Sequence, residues 1–304
     1  MPSVKELRAD AEVIGAIKTI TSVYQEIASI RMNQLRDRVA KTRDFLDGVA
    51  SVYNHAKTAY IASLQSQPFQ RGKKKLPNLD FVRRNGKTLS VFLSANEHLY
   101  GTLILDIWKH FVNDVSSGQS DVLVIGSFGK YLINNENLAL KFSYFDLDDD
   151  APGPEQIRKI IEFLSKYEKV VVYHGQMISV LNQITAKSEI TGGISLKEKA
   201  QRTAKRYLFE PSSEKVLEFF EGEIIGALFN QSVLEHQLAR FAARMVAMDQ
   251  ASENAQEELA KIRKSLRTLR RRTLNRKQLE IYAGYHLWKQ REQRAEIPVN
   301  KGVS

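Results

Sequence analysis

The stretch LARFAARMVAMDQASENAQEELAKI, residues 238–262, decides the fold. Leu238, Phe241, Met245, Met248, Ser252, Ala255, Leu259 and Ile262 recur in steps of three and four, the mark of a helix with one narrow coiled-coil seam. Outward from it, the same steps reach back to Leu234 and on to Leu266, Leu269 and Thr273. Between the entry YLFEPSSEKVLEFF (207–220), where Pro211 and two serines supply helix-start chemistry, and Glu292 there is no proline. A helix of roughly eighty residues spans about 120 Å at 1.5 Å per residue, more than a compact domain of this size needs.

The N-terminal block, roughly 1–57, is the natural partner. Val13, Ile17, Ile20, Tyr24 and Ile27 form one seam, and Leu35, Val39, Thr42, Leu46, Val49 and Tyr53 a second, one residue out of phase. That predicts a seam rotating around the helix near Arg31 to Gln34. A polar loop (58–86) follows, and then the period changes. KTLSVFLSA (87–95), DVLVIG (121–126), LALKFSYFDL (138–147) and KVVVYHG (169–175) read as strands alternating with the helical segments GTLILDIWKHFVNDV, SFGKYLIN and PEQIRKIIEFLSKY. The predicted fold class is α/β: a long antiparallel coiled coil of the terminal helices plus a Rossmann-like α/β domain over 87–206, with room for an antiparallel edge. The long helix would occupy 207–292 and a disordered tail 293–304.

Composition narrows the function classes. The 304 residues contain no cysteine, which excludes disulfides, thiolate catalysis and cysteine-bound zinc. No apolar run is long enough for a membrane span and the N-terminus lacks a signal-peptide profile, so a cytoplasmic protein is expected. A net charge of +10 favours anionic partners, and its densest run, KIRKSLRTLRRRTLNRK (261–277), contains no acid. A smaller basic cluster lies at RGKKK (71–75) with Arg83 and Arg84, and DLDDD (146–150) reads as a solvated turn. GSFGK (126–130) has two residues between its glycines and Tyr131 after the lysine, which fails the phosphate-loop pattern. No glycine fingerprint follows a strand, and His55, His98, His110, His174, His236 and His286 show no ligand spacing. No catalytic residue, cofactor or metal is expected.

Several of these residues together resemble the gamma subunit of rotary F-type ATP synthases. ARMVAM (243–248) with Asp249, Ala251, Ser252 and Asn254 matches that family's C-terminal helix signature, and Arg270, Arg271, Leu274, Glu280, Ile281 and Gly284 fall in register with its terminal pattern. Glu6, Leu7, Arg8, Ile20, Thr21, Arg31, Met32, Asp37 and Arg38 follow the N-terminal pattern, YLFEPSSEKVL the entry to the long helix, and VLVIGSFG the central strand and turn.

The resemblance implies a non-catalytic central shaft inside a hexamer of alpha and beta subunits, with the epsilon subunit and the membrane c-ring at its foot. It also implies a peripheral position on the cytoplasmic face of the membrane. Arg31 and Met32, with Arg267, Arg270, Arg271 and Arg272, would meet the levers and catch of beta; Leu287 and Trp288 would bear on an apolar sleeve.

Departures from the family pattern are informative. Thr19 and Ser22 replace lysines, and Asn96, Glu97, His98, Leu99, Tyr100 and Gly101 stand where the family has Asp-Arg-Gly followed by Leu-Cys-Gly. Only Leu99 and Gly101 are kept, so the turn is expected to persist with changed polar contacts. The alternative reading of 261–277 is a phosphate-tracking helix of a coiled-coil nucleic-acid-binding protein. It lacks the aromatic platforms and base-reading side chains that such binding uses.

Overall fold

The computed structural model describes residues 3–65, 85–116, 118, 120–136, 141–191, 210 and 212–295. The basic cluster at 71–75 and the tail from 296 lie outside the described residues. Ten elements follow in order: α1 (Val4–Gln65), β1 (Thr88–Leu93), α2 (Leu103–Ser116), β2 (Asp121–Ile125), α3 (Ser127–Asn135), β3 (Phe142–Phe145), α4 (Pro154–Leu164), β4 (Lys169–Ser179), β5 (Asn182–Thr191) and α5 (Ser213–Ala295). Two compact units divide the chain, Met1–Val23 with Asp249–Ser304, and Tyr24–Met248.

Local chemistry sets the helix starts. Ser3 and Glu6 form a reciprocal capping box, the Glu6 N–H donating to Ser3 Oγ (3.1 Å) and the Ser3 N–H to Glu6 Oε2 (2.8 Å). Ser212 caps α5 by accepting the Lys215 N–H at 3.3 Å. Helix α1 runs past residue 57 without interruption to Gln65.

In the larger unit the sheet order is β3-β2-β1-β4-β5. β1 pairs in parallel with β2 and β4, and β2 with β3, whereas β5 returns antiparallel to β4. The strand NQITAKSEIT is the element that sequence periodicity does not flag: its turn, Val180–Leu181, has no glycine or asparagine, and its residues are largely polar. Alternation along the strands loads both faces. Phe92, Val124 and Tyr173 pack with α2 and α3 on one face; Leu89, Val91, Leu123 and Val172 pack with α4 on the other.

Helix α5 contributes to both layers, with Ile225, Phe229 and Val233 in one and Ala239 and Ala243 in the other. The opposite side of this stretch faces α1, where Ala28, Met32, Leu35 and Val39 pack with Leu234, Leu238, Phe241 and Ala242. Arg43 pairs with Glu235, and Tyr53 packs with Leu217 and Ile224, so positions rise along α1 as they fall along α5 and the pair is antiparallel. As a result every residue from Gln231 to Arg244 is buried.

The α1 seam differs from its sequence reading. It keeps one phase from Leu7 through Ile14, Thr21, Ala28, Met32, Leu35, Val39 and Leu46 to Tyr53, with no rotation near Arg31 to Gln34. Ile17 and Ile20, expected in the seam, are 46% and 55% exposed, and Val13, Tyr24 and Ile27 share that exposed face. The physical reason is close approach. In the smaller unit Ser22 and Ser252 exchange a hydroxyl hydrogen bond at 3.2 Å and Lys18 donates to Gln256 at 2.8 Å, so polar side chains fill the interface at the level of Lys18 to Ser22. An isoleucine there would hold the backbones apart.

Candidate partner-contact surfaces

In the smaller unit Leu7, Thr21, Ala255, Leu259 and Ile262 are buried and Leu266 is half-buried. Beyond Leu269 every residue with a described side chain is exposed. The basic run thus stands on a helix face in water: Arg267, Arg270, Arg271 and Arg272 are exposed, and Arg267 Nε donates to the Arg263 carbonyl of its own helix at 3.3 Å. Arg276 pairs with Glu280 at 3.0 Å, the first acid after the run. Leu287 and Trp288 are 65% and 58% exposed, beside exposed Leu279, Ile281, Tyr282 and Tyr285.

In the larger unit Arg31 is exposed, but Met32 is not a surface residue. It is 6% exposed and packs beside Leu35, Leu238 and Phe241, a consequence of the seam keeping its phase. Leu238, Phe241 and Met248 are buried as coiled-coil positions, with Met245 half-buried against them.

The acidic turn also departs from expectation. Asp149 of DLDDD is 7% exposed and pairs with Arg240, itself 5% exposed, so this carboxylate is a buried hub and not a solvated turn. Burial of residues 231–244 of α5 on all sides explains the partners of the polar residues there, because each must find one. Glu235 accepts from Arg43 at 2.7 Å, and Gln231 donates to Glu235 at 2.7 Å. Gln237 donates to the Asp149 carbonyl at 2.9 Å, and Arg244 donates to Glu97 at 2.6 Å.

The imidazole of His236 accepts the Gly175 N–H on Nδ1 and therefore donates from Nε2 to the Ser94 carbonyl, both at 3.0 Å. Burial, reinforced by the Arg240 charge, holds its pKa well below the ordinary histidine value. Burial likewise raises the Tyr100 phenol above the usual range. These contacts fill the space beyond the carboxyl end of β1 and against the middle of β4, near where an open α/β sheet would otherwise hold a ligand.

The GSFGK turn is a packing device. A Cβ on Gly129 would lie 2.7 Å from Val124 Cγ1 and 2.9 Å from Ser94 Cβ, and Gly126 has φ +102. The first donors of α3 are taken, the Ser127 N–H by Asn96 Oδ1 (2.7 Å) and the Phe128 N–H by the Ala95 carbonyl (2.9 Å). Among the described residues no group of acids and histidines is arranged to hold a metal, and no helix is long and apolar enough to cross a membrane.

A family model described as ATP synthase matches residues 3–286. The chain belongs to that ATP synthase family. Similar curated proteins are ATP synthase gamma chains. One, from Vesicomyosocius okutanii subsp. Calyptogena okutanii, is 22% identical, covering 92% of this chain and 97% of the relative. Another, from Cytophaga hutchinsonii, is 25% identical, covering 93% and 98%.

Two solved chains share the fold. One, from the central stalk and c-ring of the Tetrahymena thermophila mitochondrial ATP synthase, has a TM-score of 0.56 at 16% identity and covers 77% of this chain and 99% of that one. The other, from the Euglena gracilis mitochondrial ATP synthase in rotational state 3, has a TM-score of 0.54 at 12% identity and covers 90% and 98%. At these identities the chain is a divergent gamma-type member of the ATP synthase family. The nucleic-acid reading of the basic helix finds no support among these relatives.

Proposed function

We propose that this chain is the central rotor shaft of an F-type ATP synthase, coupling rotation of a membrane ring to the conformational cycle of an alpha/beta catalytic hexamer. The observation that carries this reading is the inverted packing of α1. Its seam is polar at Lys18, Thr21, Ser22 and Gln25, while Val13, Ile17, Ile20, Val23, Tyr24, Ile27 and Ile30 face outward. Large apolar side chains left on the outer face of a two-helix coil form a contiguous patch of the kind that marks a protein–protein contact.

Within the hexamer the exposed Arg31, Arg267, Arg270, Arg271 and Arg272 present charge to acidic levers of beta, and Leu287 with Trp288 bears on an apolar sleeve. Met32 acts from inside the seam. The alpha and beta subunits hold the catalytic sites and this chain supplies none. Because its faces differ, each beta subunit meets a different surface, and rotation biases the sites in turn. The epsilon subunit and the c-ring bind the sheet domain, which makes the chain peripheral to the cytoplasmic face of the membrane.

The test is co-expression of the tagged chain with the alpha and beta subunits of the same source, followed by isolation and assay of MgATP hydrolysis. The expected particle holds one copy of this chain to three of each partner, and neutralising Arg270 to Arg272 lowers its turnover. A chain that elutes alone, from a hexamer whose activity ignores it, overturns the reading.

A further inference from the structure

We infer that Asp149 and Arg240 form the clamp that fixes the rotational setting of α5 on the sheet domain, so that torque passes between sheet and coil without slip. The inference rests on the rotor reading above.

Three segments of the larger unit meet at Asp149. Its Oδ2 accepts the backbone N–H groups of Asn96 (2.9 Å) and Glu97 (2.8 Å), from the turn after β1, and the Tyr100 hydroxyl (3.3 Å). Its Oδ1 accepts Arg240 Nη1, and its carbonyl accepts Arg240 Nη2 (2.8 Å) and Gln237 Nε2 (2.9 Å), both from α5. One helical turn further on, Arg244 gives a second hold. Its guanidinium lies 4.3 Å from the Tyr100 ring centroid and donates to Glu97 Oε2 and to the His98 carbonyl at 3.1 Å. The turn between them is drawn tight, with Leu99 at φ +73, a left-handed setting that a leucine rarely adopts.

Apolar packing alone does not provide such a setting, and beside the neutral bridge of His236 to Gly175 and Ser94 the Asp149 cluster supplies the charged holds. The contacts of Phe229, Val233 and Ala239 with the sheet are non-directional, and a helix rolling slightly on them loses little. A guanidinium forked between a carboxylate and a carbonyl has one geometry, and any roll strands a buried charge. A buried ion pair is also a poor means of gaining stability. Here Nε of Arg240 and of Arg244 has no hydrogen-bond partner among the described residues, so the cluster is not fully satisfied. What it supplies is direction, which a shaft under torsion requires. Asp149 and Arg240 are therefore positioning residues.

The experiment uses the assembled complex with a rotation probe on the sheet domain and the hexamer fixed. The angular spread at each dwell reads torsional stiffness between coil and sheet, and ions moved per ATP in the membrane-reconstituted complex reads slip. Asp149→Asn is expected to widen the angular distribution and lower the ions moved per ATP. Ile160→Val, a buried change in α4 away from the cluster, should alter neither while still lowering thermal stability.

Arg240→Lys keeps the charge but loses the fork; it must shift both readouts in the same direction, and it decides the matter if Asp149→Asn does not assemble. Unchanged spread and unchanged ions per ATP in a rotating complex overturn the clamp alone. A wild-type chain that neither assembles nor rotates overturns the rotor reading and the clamp with it.

Discussion

Ile20 and Thr21 are adjacent in α1 but differ sharply in burial: Thr21 is 7% exposed in the seam with α5, whereas Ile20 is 55% exposed. The buried hydroxyl is satisfied within its own helix, its one proton shared between the carbonyls of Ile17 and Lys18, each at 3.0 Å. The polar residue is thus the inner one.

This inversion makes Ile20→Gln nearly silent for the stability of the full chain, within about 0.5 kcal/mol by urea denaturation, as for other surface changes. Thr21→Leu, which enlarges the seam, should cost about 1–3 kcal/mol by overpacking. In the assembled particle the order reverses for binding, with Ile20→Gln weakening retention of the chain by the hexamer. A cost above about 2 kcal/mol for Ile20→Gln would place the seam where the sequence periodicity puts it.

Arg240 is expected to matter far beyond an ordinary charged residue. Its removal leaves Asp149 as an uncompensated charge, so Arg240→Ala should lower the unfolding free energy by about 3–5 kcal/mol. Arg158→Ala on α4 breaks an exposed pair with Glu155 and should leave the denaturation midpoint where it was. Equal midpoints for the two variants would show that water, and not Arg240, compensates Asp149.

His236 gives the fold a pH dependence of defined sign. Its folded pKa lies well below the unfolded value of 6.5, because burial and the neighbouring Arg240 charge disfavour the imidazolium. Between the two values the unfolded chain binds a proton that the folded chain refuses. The contribution is therefore present in full above about pH 6.5 and is lost as pH falls below it, at up to about 1.4 kcal/mol per pH unit. In the full chain the His236 ring resonances should hold still through pH 6.5. Resonances that titrate there would mean that Nδ1 is not committed to the Gly175 N–H.

Much of the architecture was legible. Steps of three and four place Leu238, Phe241, Met248, Leu259 and Ile262 in the α5 seam, and all are buried. The β-branched runs at 88–93, 121–125 and 169–175 are strands. The same periodicity misled in α1, where Ile17 and Ile20 mark a face and not a seam. β5 was missed because its residues answer to β4 and not to a pattern of their own.

The candidate surfaces divide likewise. The basic run was visible as a count of charges and lies exposed on α5, but Met32 turned inward once the seam kept its phase. Least legible was the cluster around Asp149. An acidic run followed by prolines looks solvated, and nothing near it in sequence hints that Arg240, 91 positions away, supplies its partner.

By itself the sequence determined that there are two long helices, a parallel-dominated sheet between them and a concentrated basic helix, because periodicity and composition are local properties. Only the tertiary structure decided which side of α1 is its inside and which carboxylate is buried. Those depend on how closely two backbones approach and on which charges distant segments bring together, and neither is written in the residues on one side alone.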